Sequence, residues 1–198
     1  MAEVTPQQVL SELVEGNRRF AEGRAEHPRQ TTVRRTEVAK RQSPHAVVIA
    51  CSDSRTPPEL LFDQGLGDLY VVRLAGGVVE KEALGSIEYA VKRFGVSLVV
   101  VLGHERCGAI EIAVKGGYLP GNLGDLIWAL KPAVVRASAK PGDPVDNAMR
   151  AQVVMTVERL KRTGPTISEM VSRKRLLVVG MRYDLDTGRV ELLTPVVD

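Results

Sequence analysis

Ala46-Val47-Val48-Ile49-Ala50-Cys51-Ser52-Asp53-Ser54-Arg55 and Ser97-Leu98-Val99-Val100-Val101-Leu102-Gly103-His104-Glu105-Arg106-Cys107-Gly108 are the two stretches on which the fold turns. Each opens with a continuous run of β-branched and aliphatic residues, the pattern of a strand buried on both faces in a parallel sheet. Each then passes into polar residues, and these two polar segments hold both cysteines and one of the three histidines of the chain. In open α/β sheets, ligand sites form at the carboxyl ends of strands, where the strand order reverses. The two segments are therefore candidates for one site.

Outward from these runs, Leu69-Tyr70-Val71-Val72-Arg73 reads as a further strand, Leu176-Leu177-Val178-Val179-Gly180-Met181 as a fourth and Val190-Glu191-Leu192-Leu193 as a fifth. The short turn Asp186-Thr187-Gly188 makes the last pair antiparallel. Between them lie helical patterns. Pro57 to Phe62 reads as a short helix closed by Gly65, and Leu84, Ile87, Val91 and Phe94 mark a stripe that Gly95 ends. Helices are expected over 109–115, around 123–137, from Asp143-Pro144 to Arg162, and near 167–172. Right-handed crossovers then give the sheet order 2-1-3-4-5, with the first and third strands adjacent and the switch point between their carboxyl ends. Topology alone brings Cys51 to His104 and Cys107.

Ahead of the sheet lies an arm of about 44 residues. Thr5-Pro6-Gln7-Gln8 has a capping residue, Pro at the first helical position and Gln three after the cap, so a helix starts there and should run to about Gly23. Its apolar positions Val9, Leu10, Leu13, Val14 and Phe20 form one stripe, which can pack on a partner subunit or on its own domain. A short helix is expected near 31–41.

The chain has 198 residues and no linker-like tract, which implies a single domain over 1–198. The net charge is +3, and the basic clusters Arg34-Arg35, Lys40-Arg41 and Arg173-Lys174-Arg175 lack interleaved aromatics, so neither nucleic acid nor a membrane surface is an expected partner. No apolar run approaches a membrane span, and Met1-Ala2-Glu3 has no signal-like character. A reducing, cytoplasmic location is the expectation, in which two distant cysteines bind metal or act chemically rather than form a bridge.

Two thiolates and an imidazole suit Zn2+, with His104 and Cys107 three apart at a helix entrance and Cys51 on the neighbouring strand end. Three protein ligands leave a fourth tetrahedral position, the arrangement of catalytic zinc. The competing reading is two buried free cysteines and a capping histidine. Asp53 and Arg55 weigh against it. A carboxylate beside a metal must ligate it, hydrogen-bond its water or be neutralised, and Arg55 is close enough to hold it in a bidentate pair. His27 and His45 lie outside both segments and are not expected ligands.

Cys51-x-Asp53-x-Arg55 together with Gly103-His104-x-x-Cys107-Gly108 resembles the signature of the β-class carbonic anhydrases. The resemblance runs from about Phe20 to Leu193 and takes in Phe62-Asp63-Gln64-Gly65, Val72-Arg73-x-Ala75-Gly76 and Gly85-Ser86-Ile87-Glu88-Tyr89-Ala90-Val91. It implies an α/β fold, a homodimer or homotetramer built on an exchanged N-terminal helix, and zinc held by Cys51, His104 and Cys107. It also implies an Asp53/Arg55 dyad in which Asp53 either pairs with Arg55 or becomes a fourth ligand. By the same resemblance Gln30, Tyr70 and Tyr89 would line the substrate cleft, and the Gly108 N–H would face a substrate oxygen. Bicarbonate-regulated members have a tryptophan where this sequence has Val48, which sets the chain apart from them, although Arg73 keeps a basic residue they also use.

The expected reaction is the reversible hydration of carbon dioxide to bicarbonate and a proton by zinc-bound hydroxide. Two thiolates offset the charge of the ion, so activity is expected to rise from neutral to alkaline pH. Two alternatives share the motifs: hydrolysis of carbonyl sulfide or carbon disulfide, and a non-catalytic zinc or redox-sensing role.

Overall fold

A computed structural model describes residues 5–196; the first four residues of the arm, and with them Met1-Ala2-Glu3, lie outside the described residues. The elements in order are α1 (Pro6–Ala21), α2 (Thr32–Lys40), β1 (Ala46–Ala50), α3 (Pro58–Leu61), β2 (Leu69–Arg73), a 3-10 turn (Ala75–Gly77), α4 (Lys81–Phe94), β3 (Leu98–His104), α5 (Gly108–Lys115), α6 (Gly121–Ala137), α7 (Pro144–Arg162), α8 (Gly164–Ser172), β4 (Leu177–Tyr183) and β5 (Val190–Leu192). One five-stranded sheet has the order β2-β1-β3-β4-β5, parallel except for the β4–β5 pair. The expected topology is the observed one.

Alternation along the strands sorts side chains to two faces. Val47, Ile49, Val99, Val101 and Val178 join the core under α4 to α8. Ala46, Val48, Ala50, Leu98, Val100, Leu102 and Val179 face the other way, toward α1 and α3. That second face is where the arm went: Val9, Leu10 and Leu13 pack on the chain's own sheet. Val14, placed in the stripe from sequence, is exposed. The Thr5/Gln8 capping box forms as its spacing predicts.

Two buried polar residues tie the arm down. Asn17, 3% exposed, donates from Nδ2 to the carbonyls of Leu61 (3.0 Å) and Gly188 (2.9 Å) and accepts at Oδ1 from the Val190 N–H (2.8 Å). Asp63 accepts from Arg19 Nε (2.7 Å) and from the N–H groups of Glu26 (3.0 Å) and His27 (2.9 Å), fixing the loop between α1 and α2. Gly16 admits this packing, because a Cβ there would lie 1.9 Å from the Phe62 carbonyl oxygen.

β3 is longer than the sequence suggests. It continues to His104, with Gly103 opposite Arg182 and His104 opposite Tyr183 of β4, so the histidine is held by the sheet ladder rather than by a loop.

Candidate metal centre

β1 ends at Ala50 and β3 at His104, and the two strands are neighbours. Cys51 therefore emerges beside His104, and one tight turn later Cys107 caps the start of α5. One nitrogen of His104 and the two Sγ atoms lie within 4.8 Å of one another, and all three residues are buried. The Sγ–Sγ distance is 3.9 Å. A tetrahedral zinc site with Zn–S near 2.3 Å requires a sulfur–sulfur edge of about 3.8 Å.

The imidazole is prepared for the same task. His104 Nδ1 lies 2.8 Å from the Glu105 carbonyl oxygen, which can only accept, so Nδ1 carries the proton and Nε2 keeps a free lone pair. Nε2 is buried and has no hydrogen-bond partner. An orphaned acceptor facing two thiols is costly unless something electrophilic occupies the space between them. The residues present fit a zinc ion.

The thiols share one proton between them. The Cys107 S–H holds the Cys51 thiol well below the ordinary thiol range, against burial and helped by the N–H groups of Asp53 (3.4 Å) and Gly76 (3.2 Å). The resulting Cys51 thiolate, with burial, pushes Cys107 well up. Only a cation between them lets both ionise.

Asp53 takes the paired one of its two available positions. Arg55 grips the carboxylate through Nε to Oδ1 (2.9 Å), Nη2 to Oδ2 (2.7 Å) and its own backbone N–H to Oδ1 (2.9 Å). The guanidinium keeps Asp53 ionised far below the usual carboxylate range. Arg55 also donates to the Arg106 carbonyl (3.1 Å), so it spans both polar segments. Oδ2 remains 3.9 Å from His104 Nε2, beside the three-residue cluster but not within it.

A narrow cavity of about 20 Å³, room for one small molecule such as water, adjoins the cluster. Gly76, Val101, Met149 and Val153 form much of its wall.

A family model described as carbonic anhydrase matches residues 46–190. The chain belongs to the β-carbonic anhydrase family. As a member it is an enzyme of the lyase class. Carbonic anhydrase 2 of Mycobacterium tuberculosis (strain ATCC 25618 / H37Rv) is 41% identical over 196 residues, covering 97% of this chain and 95% of its own. The carbonic anhydrase of Mycolicibacterium smegmatis is 41% identical over 184 residues, with coverages of 91% and 89%. Among solved structures, a tetrameric β-carbonic anhydrase from Sordaria macrospora superposes with a TM-score of 0.76 at 25% identity, covering 96% of this chain and 98% of that one. The Coccomyxa β-carbonic anhydrase in complex with acetazolamide gives 0.75 at 26%, with coverages of 95% and 87%.

Not every carbonic anhydrase position read from the sequence gathers at the cluster. Gln30 is exposed in the loop before α2. Tyr70, Tyr89 and Phe94 form one aromatic cluster with tilted or edge-on rings, their centroids 5.5 to 6.4 Å apart, and Tyr70 Oη bonds Ser86 Oγ at 3.1 Å. None of the three lines the cavity at Cys51. Gly108 is the first residue of α5, where a helix leaves its N–H groups unpaired.

Arg73 has a role at the site that the sequence did not reveal. Its Nε donates to the Cys51 carbonyl (2.9 Å) and its Nη2 to the Asp53 carbonyl (2.6 Å), holding both ends of the Cys51–Asp53 turn. A cation closing an otherwise apolar strand, in register with Ala50, was the available signal. Gly76, whose N–H reaches Cys51 Sγ, offered none, because backbone donors leave no trace in side-chain chemistry.

Among the described residues one further cluster, Glu105, Asp184 and Asp186, has metal-like spacing. Arg182 pairs with Glu105 and Asp184, and Arg106 with Asp186, so each carboxylate already has a cationic partner. No described helix is long and apolar enough to cross a membrane.

Proposed function

We propose that this enzyme catalyses the zinc-dependent, reversible hydration of carbon dioxide to bicarbonate and a proton. The observation that carries the zinc reading is the buried, partnerless His104 Nε2 facing two thiols 3.9 Å apart. Cys51, His104 and Cys107 would hold the ion. Bound there, zinc would supply Lewis acidity, making water a competent nucleophile in the neutral-to-alkaline range.

The chain's residues do the rest. Ionised Asp53 stands beside the site and accepts a hydrogen bond from the nucleophile's hydrogen, turning its lone pair toward the cavity. Arg55 keeps that carboxylate from swinging into the ligand cluster and occupying the position the nucleophile needs. Arg73 fixes the turn that carries Cys51 and Asp53. The apolar wall of Val101, Met149 and Val153 suits a small, uncharged substrate and excludes bulk water. The N–H of Gly108, at the positive end of α5, would favour negative charge developing on a substrate oxygen. The names of the relatives favour carbon dioxide over its sulfur analogues.

A homodimer or homotetramer belongs to the same reading, supported by the tetrameric state stated for the Sordaria neighbour. In such an assembly a second copy would present Gln30, Tyr70 and Tyr89, which the single chain leaves away from its own cavity.

Stopped-flow carbon dioxide hydration with zinc measured on the same sample tests the proposal. One zinc per chain and activity rising toward alkaline pH are expected, with both metal and activity lost in Cys107→Ala. Full zinc occupancy in that variant would sink the ligand assignment, and a zinc-loaded wild type inert toward carbon dioxide would sink the reaction.

A further inference from the structure

Arg106, between His104 and Cys107, has a backbone φ of 48°, in the left-handed region that residues other than glycine avoid. Turning over the peptide that joins Glu105 to Arg106 would carry that angle back toward the ordinary range. The same turn would swing the Glu105 carbonyl away from His104 Nδ1, which now lies 2.8 Å from it. The strained conformation is thus the one that keeps the histidine proton on Nδ1 and leaves Nε2 open. Strain of this kind persists only where the surrounding structure over-determines it.

The groups that over-determine it come from β4 and the turn into β5. Both carboxylate oxygens of Glu105 are taken, Oε1 by Arg182 Nη2 and Oε2 by the Leu185 N–H at 3.1 Å. The Glu105 N–H donates to the Tyr183 carbonyl at 3.1 Å. Arg106 is held from the same side, bidentate on Asp186 at 2.9 and 2.7 Å, although that pair is exposed and contributes little by itself.

Arg182 is the stiff part of this hold. Its side chain is only 12% exposed, and Nε donates to Asp146 of α7 at 2.8 Å. Asp184 and Glu191 each lie 3.5 Å from Nη1, and Arg150 grips Asp146 at 2.7 Å from the same helix. A planar guanidinium can serve several carboxylates at once in fixed directions, which the single ammonium of lysine cannot. Anchored to α7 and β5, Arg182 does not follow a movement of the 105–106 peptide, so Glu105 is fixed from outside its own segment.

We propose that Arg182 is a positioning residue of the metal centre: acting through Glu105, it holds the strained 105–106 peptide so that the Glu105 carbonyl pins the His104 proton on Nδ1 and Nε2 stays directed at the ion. The proposal rests on His104 being a zinc ligand.

The test uses the full chain loaded with zinc, as wild type, Arg182→Lys and Glu105→Ala, with folding checked by circular dichroism. Zinc Kd is measured by competition with a chelator, and the imidazole nitrogens and their protons are followed by nuclear magnetic resonance on isotope-labelled protein, where only three histidines give signals. In wild type the His104 Nδ1 proton should be hydrogen-bonded and slow to exchange with water, with Nε2 shifted by zinc. In both variants Kd should rise by about 10–100-fold, the scale for loss of a group that supports a metal ligand, and the Nδ1 proton should exchange faster. If Arg182→Lys does not fold, Glu105→Ala decides, because there Arg182 keeps its other carboxylates. A zinc Kd unchanged from wild type would overturn the proposal. So would weaker zinc binding with an unchanged Nδ1 proton, which would reduce the network to general stability. A wild type whose His104 Nε2 does not respond to zinc would overturn the ligand assignment and the proposal with it.

Discussion

Replacing Asn17 by alanine tests how the arm is held. The side chain makes three hydrogen bonds to backbone groups far along the chain, and its loss strands the Leu61 and Gly188 carbonyls and the Val190 N–H. The Leu61 bond is buried, and a buried group left unpaired costs about 1–3 kcal/mol. The other two are partly buried, so water replaces Asn17 in part, at about 0.5–1 kcal/mol each. The expected loss is about 2–5 kcal/mol, a large share of the roughly 5–15 kcal/mol that stabilises a typical domain. For a chain of this length each kcal/mol moves Tm by about 2–4 °C, so a fall on the order of 10 °C is expected. Chemical denaturation followed by far-ultraviolet circular dichroism measures the free energy directly. Asn17→Asp should be worse than alanine, since it keeps the acceptor but turns the donor into a charged acceptor facing two carbonyls. If alanine costs less than about 1 kcal/mol, or aspartate is the better tolerated of the two, the three bonds do not anchor the arm.

Arg55→Ala frees the Asp53 carboxylate, so hydration should fall by about two orders of magnitude, the scale of an ångström-level misplacement, while zinc stays bound. Retention of most of the rate across the neutral-to-alkaline range would mean that the dyad is misassigned. Asp63 yields a test in acid. Burial alone raises its pKa, but the Glu26 and His27 N–H groups and Arg19 overcome this, and the folded value lies below the ordinary one. Its contribution is therefore complete above about pH 4 and is lost as pH falls through the lower folded value, at no more than about 1.4 kcal/mol per pH unit. Asp63→Asn should be less stable at neutral pH and flatter over that acid window; identical acid slopes for variant and wild type would contradict the assignment.

The sequence by itself determined the order of the elements, the topology of the sheet and the meeting of the two polar segments. Each follows from local information. Strands buried on both faces declare themselves as unbroken apolar runs, and Thr5 with Gln8 and Asp143 start helices, and Gly95 ends one, by hydrogen bonds and backbone angles that depend on near neighbours alone. Crossover handedness then leaves one natural place for Cys51 beside His104 and Cys107. Tertiary structure decided what each face was buried against. Periodicity shows that α1 has an apolar stripe but not whose sheet receives it, and Val9, Leu10 and Leu13 found their own. It is equally blind to buried polar side chains: Asn17 and Asp63 look like surface residues until the groups they satisfy, many positions away, are in view. The tautomer of His104, the 3.9 Å between the thiols and the grip of Arg73 on the Cys51–Asp53 turn likewise depend on atoms from separate strands, whose separation is set only when the sheet closes. Gln30, Tyr70 and Tyr89 show the same limit from the other side, for their residue types match a substrate cleft while the fold of one chain leaves them elsewhere.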